Sequence, residues 1–548
     1  TVTTLDDVVN ATVGVFSLRE ALTNAHTLGN APTIVFAESL SGGTITLTSK
    51  LGAITTDMTI DGDIDGDGKA DITIDGGGKY RFFDLSTADV TLSLNGLILQ
   101  NGHSELASTG NGGVINLSAA GVTMNLINST ITGSKNKGNG AIFYISAAGV
   151  TVNMTDSTFS NNTSYWCGAV LYSDKANTTV TVTRSKILNN SSSDAGTPAT
   201  DGGAIYLRAG SDNSKITIVD SLFEGNTVPT ISGSSIAIVN SKNTQVTISG
   251  TTFKDNSAGV YGGAIHFYGS TTSTLNITDS IFTGNSTTKS FSAANTLVGG
   301  GAIYVNGGIV NISGSTFTGN HADGKNTASS ADRLYGGGSI GVQTGTLNVT
   351  GTNSFTGNYS KEGHGGAIHT YAGTINISGT NTFAENKAGV EVSASNGHGG
   401  AIYIHNQDTA NLTVTGNTLF RGNIANSWGG AISSNDKGEV YVEGATFLNN
   451  QVNKNYGSAI YNGGNLTIVN STFTGNFKPT ENTASAVVTN EGKNGKIYVI
   501  NSTFYNNLHS DSTIASSQTV YDVYAQSGVT NATYVINSIY DVGFDANV

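Results

Sequence analysis

The chain has 548 residues, including 72 glycines, 4 prolines and 1 cysteine, and carries a net charge of −13. An acidic chain without a basic cluster argues against nucleic acid and anionic membrane as partners. No apolar run approaches the roughly 18 to 20 residues of a membrane span, so we expect no membrane insertion of this segment. Charged residues make up only 11% of the sequence, and Ser, Thr and Asn fill most polar positions, which is typical of a polar-coated solenoid.

The first predicted element is a short amphipathic helix in the segment SLREALTNAH, beginning at Ser17. Ser17 and Glu20 have the S-x-x-E spacing of a capping box, which satisfies free amides at a helix start. One helical face carries Leu18, Leu22 and Ala25. If the following strands stack into a solenoid, their open end needs a cover, so we predict that the helix is a terminal cap. A helix that binds a partner protein is the alternative.

Short alternating runs from Thr33 to Leu99 predict irregular strands, and they enclose the acid-rich loop DIDGDGKAD. The spacing matches positions 1, 3, 5, 7 and 9 of a calcium-binding loop, with glycine at the sharp turn. The predicted ligands of Ca²⁺ are Asp63, Asp65, Asp67, the backbone carbonyl of Lys69, and Asp71. Position 12 is Ile74 instead of the usual bidentate glutamate. The loop is therefore either a Ca²⁺ site or a solvated acidic turn.

From residue 111 onward, two motifs alternate, and their spacing predicts the fold. GGAI occurs at Gly202, Gly262, Gly300, Gly365, Gly399 and Gly429. Phe followed three residues later by Asn occurs as Phe159/Asn162, Phe223/Asn226, Phe253/Asn256, Phe282/Asn285, Phe317/Asn320, Phe355/Asn358, Phe383/Asn386, Phe420/Asn423, Phe447/Asn450, Phe473/Asn476 and Phe504/Asn507. Each repeat contains three brief strands and no helical period. This pattern predicts an all-β, single-stranded, right-handed parallel β-helix, whereas a β-propeller would need four antiparallel strands per blade.

The same pattern predicts the organisation of the chain and the conformation of the repeat. Residues 1–110 should form the N-terminal cap and first irregular rungs with the calcium loop, and residues 111–548 the regular repeats of one continuous domain with an uncapped C-terminal end. Ile205 and its equivalents should point into the core, and the residue after each should point outwards. The recurring Asn should take a left-handed or bridging backbone and hydrogen-bond from rung to rung.

Two rows of aromatic and histidine side chains are predicted on the outer surface. The outward row of the first strand contains Tyr206, His266, Tyr304, His369, Tyr403 and Tyr461, and the row preceding the glycine pair contains Trp166, Tyr261, His364, His398, Trp428 and Tyr456. The candidate ligand-binding residues are the whole first row with Trp428 and Tyr456. Such stripes can hold sugars or a peptide, or they can stiffen the sheet by cross-rung stacking. His364 and His398 have the spacing to share a metal, but no third ligand is evident.

A charged set recurs in three successive repeats. Asp156, Arg184 and Asp220 occupy equivalent positions, so we expect them to stack as acid, base and acid. Such a set can transfer protons in carbohydrate chemistry, or it can be a structural ion pair, which is the favoured interpretation. Cys167 replaces a glycine of the repeat and is assigned no role.

The GGAI and F-x-x-N repeats resemble the passenger regions of chlamydial polymorphic outer membrane proteins, autotransporter-type adhesins and adhesin-like β-helix proteins of methanogens. The opening SLREAL with DGDIDGDGKADITIDG is similar to the N-terminal segment of many secreted microbial β-helix proteins. The resemblance implies an exported protein, displayed extracellularly on a microbial surface. The chain begins at Thr1 without a signal peptide, which we interpret as a processed or excised segment. Near the C-terminus TYVINSIYDV still has the repeat pattern, which departs from the autotransporter arrangement.

Three functions fit these features. The favoured one is an adhesin or surface stalk, without enzymatic activity, that binds host-cell, microbial-surface or matrix proteins or glycans through the side of the β-helix. The alternatives are a polysaccharide lyase or glycoside hydrolase of β-helix fold and a self-assembling surface fibre.

Overall fold

The computed structural model describes residues 1–9, 14–104, 112–192, 202–229, 232–290, 296–324, 335–391, 397–405, 410–435, 438–479, 485–490, 495–507, 520–525 and 533–540. The chain divides into two compact units. The first unit is Thr1–Ser257 with Tyr268–Thr274, and the second is Ala258–Phe267 with Leu275–Val548. Each unit is a right-handed parallel β-helix, which confirms the predicted fold class. The predicted uncapped end concerns residues 541–548 and lies outside the described residues.

Each repeat contributes strands to parallel sheets, which we name by position in the repeat. The GGAI sheet contains the strand after the glycine motif, the middle sheet contains the next strand, and the Phe sheet contains the strand with the recurring phenylalanine. The short sheet consists of two-residue strands directly after the recurring Asn. Each repeat therefore makes one turn, and equivalent positions of successive repeats lie side by side.

The strands of the first unit follow this plan from the N-terminus. Its GGAI sheet contains Ala53–Ile54, Phe83–Leu85, Ile115–Leu117, Phe143–Ile145, Leu171–Ser173, Ile205–Leu207 and Ile236–Ser241. Its middle sheet contains Thr33–Val35, Met58–Asp61, Thr91–Asn95, Thr123–Ile127, Thr151–Thr155, Thr179–Thr183, Lys215–Val219 and Gln245–Ser249. Its Phe sheet contains Thr44–Thr46, Ile72–Asp75, Leu97–Gln100, Thr130–Thr132, Thr158–Ser160, Lys186–Leu188, Leu222–Glu224 and Thr252–Lys254. Its short sheet contains Lys135–Asn136, Thr163–Ser164, Ser191–Ser192 and Thr227–Val228, and Ser257–Ala258 spans the point where the units divide.

The strands of the second unit follow the same plan. Its GGAI sheet contains Ile265–Gly269, Ile368–Thr370, Ile402–Ile404, Ile432–Ser434, Ile460–Asn462, Ser485–Asn490 and Val520–Ala525. Its middle sheet contains Thr274–Thr278, Thr374–Ile377, Asn411–Val414, Glu439–Glu443, Asn465–Val469, Ile497–Ile500 and Thr533–Ile536. Two long strands, Ile303–Ser313 and Ile340–Thr350, belong to both of these sheets.

The remaining strands of the second unit form its other sheets. Its Phe sheet contains Ile281–Thr283, Thr316–Thr318, Thr352–Thr356, Thr380–Ala384, Asn417–Arg421, Thr446–Leu448, Thr472–Thr474 and Thr503–Tyr505. Its short sheet contains Ser286–Thr287, His321–Ala322, Tyr359–Ser360, Lys387–Ala388, Ile424–Ala425 and Gln451–Val452. A two-stranded pair, Val298–Gly299 with Tyr335–Gly336, lies outside these sheets.

The N-terminal helix is Leu18–Leu28, and a 3₁₀ turn follows at Glu38–Leu40. The predicted capping box is confirmed: the Ser17 hydroxyl accepts the Glu20 amide, and the Glu20 carboxylate accepts the Ser17 amide. The apolar face is buried through Leu18, Ala21, Leu22 and Ala25. Arg19 adds a two-point salt bridge to Asp7 at 2.9 and 2.8 Å. The helix thus covers apolar surface of the first unit, as expected of a cap.

The core of each unit is built from the inward side chains of the three main sheets. Ile205 and Leu207, predicted to point inwards, are fully buried, as are the equivalent residues of the other repeats. In the second unit, eight phenylalanines of the Phe sheet stack face to face with centroid separations of 4.6 to 5.1 Å. In the first unit the same column is mixed, since Phe159 lies beside Ile131 and Ile187, whereas Phe223 and Phe253 stack at 4.9 Å. Both columns exclude water, but only that of the second unit is a continuous ring stack.

The recurring Asn forms a buried hydrogen-bond ladder in each unit. The Asn358 side-chain amide donates to the Asn386 Oδ1 atom and to the Phe317 carbonyl, both at 3.0 Å. Its own Oδ1 accepts the backbone and side-chain N–H groups of Asn320. The predicted hydrogen bonding between rungs is thereby confirmed. The left-handed backbone was predicted one residue too late, because it falls on the preceding residue, such as Gly357, Asn189 or Glu385.

Candidate functional site

The acid-rich loop lies between the strands Met58–Asp61 and Ile72–Asp75 of the first unit. Gly66 and Gly68 have φ values of +75° and +79°, a conformation that side chains disfavour, so glycine permits the tight turn. The backbone N–H of Asp71 donates to the Gly62 carbonyl and closes the loop at its base. The two flanking strands thus hold the acidic side chains on one short segment.

Three of the predicted ligands converge. Asp63, Asp65 and Asp71 each have a carboxylate oxygen within 4.8 Å of the oxygens of the other two. The Asp63 Oδ1 atom is buried and has no hydrogen-bond partner among the described residues. A buried carboxylate oxygen without a donor is costly unless a cation or a water compensates it. The donor set, which consists of oxygens alone, suits a hard cation such as Ca²⁺.

Asp67 does not join this group, and coordination by the Lys69 backbone carbonyl stays a prediction. Asp67 accepts a 2.5 Å hydrogen bond from the Lys69 Nζ atom, and it also accepts the Lys69 backbone N–H at 2.9 Å. The Lys69 ammonium holds the pKa of Asp67 below its usual value. Lys69 competes with a cation for this carboxylate, which sequence spacing alone does not reveal. Ile74, at the position of the missing glutamate, is fully buried in the Phe sheet.

The outward aromatic row was predicted to lie on an exposed surface, and this expectation is wrong. All six of its residues, Tyr206, His266, Tyr304, His369, Tyr403 and Tyr461, are buried, with exposed fractions of at most 6%. In the first unit Tyr206 packs in an outer apolar cluster with Tyr172, Cys167, Ala237 and Val239. The GGAI sheet therefore has a covered outer face as well as a buried inner face.

In the second unit the two predicted rows pack against each other instead of forming separate stripes. Tyr261 lies 4.6 Å from Tyr304, and His364 lies 4.4 Å from Tyr403, measured between ring centroids. Trp428 stacks on His398 at 4.4 Å and on Tyr461 at 5.0 Å. We call the outward row and the row before the glycine pair together the aromatic ridge. Tyr456 differs, because its ring lies 6.5 Å from Tyr524 and under the Lys478 ammonium.

The glycine pair explains why the two rows meet. Gly399 has a φ of +65°, and a side chain there would collide with the carbonyl of Ile402. Gly262, Gly300, Gly365 and Gly429 have the same conformation and the same close carbonyl. Such a turn folds the preceding residue over the outward side chain of its own strand and of its neighbour. Aromatic side chains thus become an outer layer of packing, and ligand binding by this row stays a prediction.

Several histidines of the aromatic ridge are held in the neutral form by burial. Burial lowers the pKa of His266 and of His398 to about 3. Burial also places the pKa of His364 and of His369 well below the ordinary value of 6.5, and neighbouring histidines add to the effect. His364 and His398 stack at 4.5 Å. Within the described residues the acidic loop alone brings three potential metal ligands together, so His364 and His398 gain no third ligand there.

The charged set of the first unit lies on exposed turns. Arg184 makes a two-point salt bridge with Asp156 at 2.8 and 2.6 Å, and its hydrogen bonds lower the pKa of Asp156. Asp220 contributes only a longer-range attraction to Arg184. The Arg184 side chain is 55% exposed. This geometry is that of a surface ion pair, as the favoured interpretation predicted.

One surface feature has no counterpart among the predicted residues. A groove of about 470 Å³ lies on the outer face of the middle sheet in the second unit. Its lining residues include Tyr441, Thr467, Tyr498, Glu439 and Lys496. The signal was present in the alternating runs EVYVE and KIYVI, each of which places a tyrosine at an outward position.

Comparisons with known proteins agree with the repeat pattern. The Chlamydia polymorphic membrane protein repeat matches residues 250–268 and 417–435. An 88-residue segment is 41% identical to a protein of Escherichia coli strain K12 described as a probable autotransporter, YfaL. The aligned segment covers 14% of this chain and 7% of that protein. The chain therefore resembles polymorphic membrane proteins and autotransporter passenger regions. Among the described residues, no helix has the length and hydropathy to cross a membrane.

Solved structures give weaker matches. An alginate lyase in complex with a ligand designated G6 is 13% identical, with a TM-score of 0.33 over 80% of this chain and 83% of that chain. A second alginate lyase, in complex with a trisaccharide, is 12% identical, with a TM-score of 0.27 over 100% of this chain and 86% of that chain. A tailspike protein of E. coli bacteriophage HK620 is 12% identical, with a TM-score of 0.29 over 98% of this chain and 78% of that chain. Similarity at this level carries no argument about ligand or activity.

Proposed function

We propose that this chain is the surface-displayed, adhesive segment of a microbial protein, and that it binds host-cell, microbial or matrix ligands through the side of its β-helices. The observation that carries this proposal is the recurrence of the polymorphic membrane protein repeat, together with 41% identity to a segment of a probable autotransporter. The acidic, polar surface is compatible with an extracellular location.

The architecture supports a role as a binding scaffold. Outward side chains of the middle sheet form regular rows, for example Asn311, Asn348 and Asn376, whose amides hydrogen-bond in series at 2.8 and 2.9 Å. Such rows present repeated polar groups at the strand spacing of about 4.8 Å. A rigid surface with fixed spacing suits multivalent attachment to glycans or extended proteins.

The test is attachment of beads coated with the purified chain to epithelial cells, bacteria, and surfaces carrying fibronectin, laminin or collagen. We expect saturable attachment to at least one surface, competed by soluble chain. Attachment to none of them, combined with filament formation by the chain alone, would instead indicate a structural fibre. Release of unsaturated or reducing ends from acidic polysaccharides would indicate an enzyme.

We further propose that Asp63, Asp65 and Asp71 bind Ca²⁺ and fix the loop between the strands Met58–Asp61 and Ile72–Asp75. The support is the convergence of their oxygens within 4.8 Å and the buried, unpartnered Asp63 Oδ1 atom. A cation there relieves the mutual repulsion of three carboxylates, so binding should favour the folded state. At a hundredfold excess of Ca²⁺ over its dissociation constant, the first unit should gain about 2.7 kcal/mol.

Thermal melts in EGTA and in excess Ca²⁺ measure this gain. The Asp65→Asn variant should lose the calcium-dependent shift, because Asp65 is the exposed member of the group and its change leaves the core intact. Asp89→Asn, at an exposed turn of the same unit, is the matched control and should keep the shift. An equal calcium-dependent shift of the melting temperature in the parent and in Asp65→Asn, or no shift in the parent, would mean that these carboxylates do not form a Ca²⁺ site and are a solvated turn.

A further inference from the structure

The groove on the middle sheet of the second unit includes a gap in a column of outward tyrosines. Cα pairing places Tyr441, Thr467, Tyr498 and Tyr534 side by side on four successive strands. Tyr498 and Tyr534 stack with ring centroids 4.8 Å apart and planes 7° from parallel. Thr467 interrupts the column, so an opening lies between Tyr441 and Tyr498.

The width of the opening sets the size of an occupant. Two strand spacings of about 4.8 Å separate the backbone positions of Tyr441 and Tyr498 by about 9.6 Å. A ring inserted midway would lie about 4.8 Å from each tyrosine, which is within the range of favourable ring contacts. The opening therefore admits one six-membered ring, held on both faces.

The polar rim indicates what kind of ring this is. The next outward column contains Asn411, Glu439, Asn465 and Lys496, which border the same groove. The Asn465 Oδ1 atom accepts the Lys496 backbone N–H at 3.1 Å, and the Asn411 Oδ1 atom accepts that of Glu439 at 3.3 Å. These bonds fix the orientation of both amides along the rim. The rim offers both donors and acceptors, as a ligand rich in hydroxyl groups requires.

The charges of the groove favour an uncharged ligand. Glu439 and Lys496 supply one negative and one positive side chain to the lining, and both are exposed. Tyr441 is held in place by its hydroxyl, which donates to the Glu443 carboxylate at 2.8 Å. An acidic sugar gains no net attraction from this set, and a flat apolar ring makes no hydrogen bonds with the rim groups.

We propose that this groove binds a neutral pyranose unit of a glycan, sandwiched between Tyr441 and Tyr498 over Thr467. The inference deepens the proposed adhesive function, since it names the ligand class of one site, and it rests on that function for its biological meaning. Apolar C–H faces of the sugar contact the two rings, while its hydroxyl groups hydrogen-bond to the rim. We expect a dissociation constant on the order of 1 mM for a single sugar, because so small a contact area gives weak binding.

The experiment is ligand-observed NMR and calorimetry of the full chain with methyl glycosides of glucose, galactose and N-acetylglucosamine. The methyl glycoside of galacturonic acid, with its free carboxylate, and indole are the comparisons. We expect saturable binding of at least one neutral glycoside. Thr467→Tyr should abolish it by completing the ring column. Thr217→Tyr is the matched control, because Thr217 has the same outward position in the first unit between Thr181 and Thr247. This control should bind like the parent.

A second variant covers the case in which Thr467→Tyr does not fold, judged by its thermal melt. Tyr498→Ala removes one face of the opening and should weaken binding about 3- to 10-fold. The proposal is overturned if no neutral glycoside binds saturably, if Thr467→Tyr binds like the parent, or if indole binds and the glycosides do not compete with it. Bead attachment without glycoside binding would overturn this site and leave the adhesive function supported. Glycoside binding without bead attachment would support this site and contradict the adhesive function.

Discussion

The two units share an inner design but cover the outer face of their GGAI sheets with different chemistry. In the first unit the cover is Tyr144, Tyr172 and Tyr206 with Cys167 and Val239, an apolar cluster without histidine. In the second unit it contains His266, His364, His369 and His398 among tyrosine and tryptophan rings. Side chains of similar size fill the same space in both covers. They differ in whether the cover can acquire charge, and therefore in how the two units should respond to acid.

The largest expected effect is a loss of stability of the second unit below pH 6.5. Four of the five histidines buried among its described residues, His266, His364, His369 and His398, have folded-state pKa values far below the unfolded value of about 6.5. Since the unfolded chain binds protons first, their contribution is fully present above pH 6.5 and is lost as the pH falls towards their folded pKa values. Four such groups give up to about 5 kcal/mol per pH unit.

Native-state hydrogen exchange, resolved by peptide and corrected for intrinsic rates, measures this loss separately in each unit. Between pH 6.5 and 5 we expect protection to fall in the second unit and to stay nearly constant in the first. His398→Tyr, which installs the residue found at Tyr261 and Tyr456, should reduce the slope by about a quarter. Equal losses in both units would contradict the assignment to the ridge histidines.

The asparagine ladder should contribute equally to the stability of the two units. Asn190 in the first unit and Asn358 in the second each donate to a phenylalanine carbonyl and to the next asparagine of their ladder. Replacing either by Ala leaves several buried polar groups without partners, which should cost about 3 kcal/mol or more. Local unfolding free energies from hydrogen exchange should fall equally for the two variants. A loss confined to one unit would mean that the ladder is not equivalent in both.

Replacing a phenylalanine of the Phe sheet should destabilise the two units by different amounts. This difference in unfolding free energy should be smaller than the effects described above. Phe355 stacks on Phe317 and on Phe383 at 4.7 Å, so Phe355→Ile removes two ring stacks. At about 0.5 to 1.5 kcal/mol for each stack, the substitution should cost about 1 to 3 kcal/mol beyond its packing change. Phe159→Ile is the matched control, since its column neighbours are already isoleucines. Urea unfolding followed by peptide-resolved exchange compares them, and equal losses would show that ring stacking contributes nothing extra.

Much of the architecture follows from the sequence because its causes are local and repeated. The glycine pair, the strand alternation and the Ser17 to Glu20 spacing each act within a few residues, so the turns, the inward Ile205 and the helix cap could be predicted. The Asn ladder could be predicted because a polar residue recurring at one position of a stacked repeat meets its own copies. The loop spacing likewise predicted that Asp63, Asp65 and Asp71 would meet.

What only the tertiary structure decided depends on distances between segments far apart in the chain. Alternation placed Tyr206 and His369 on the outer face correctly, but side chains of neighbouring repeats pack over that face and bury them. The pairing of Asp67 with Lys69 depends on side-chain reach within the folded loop. The opening between Tyr441 and Tyr498 depends on register, because Thr467 lies between the two tyrosines only once three strands align. Sequence periodicity therefore determines on which face of the sheet a side chain lies, whereas strand register and the packing of neighbouring repeats determine which residues it contacts.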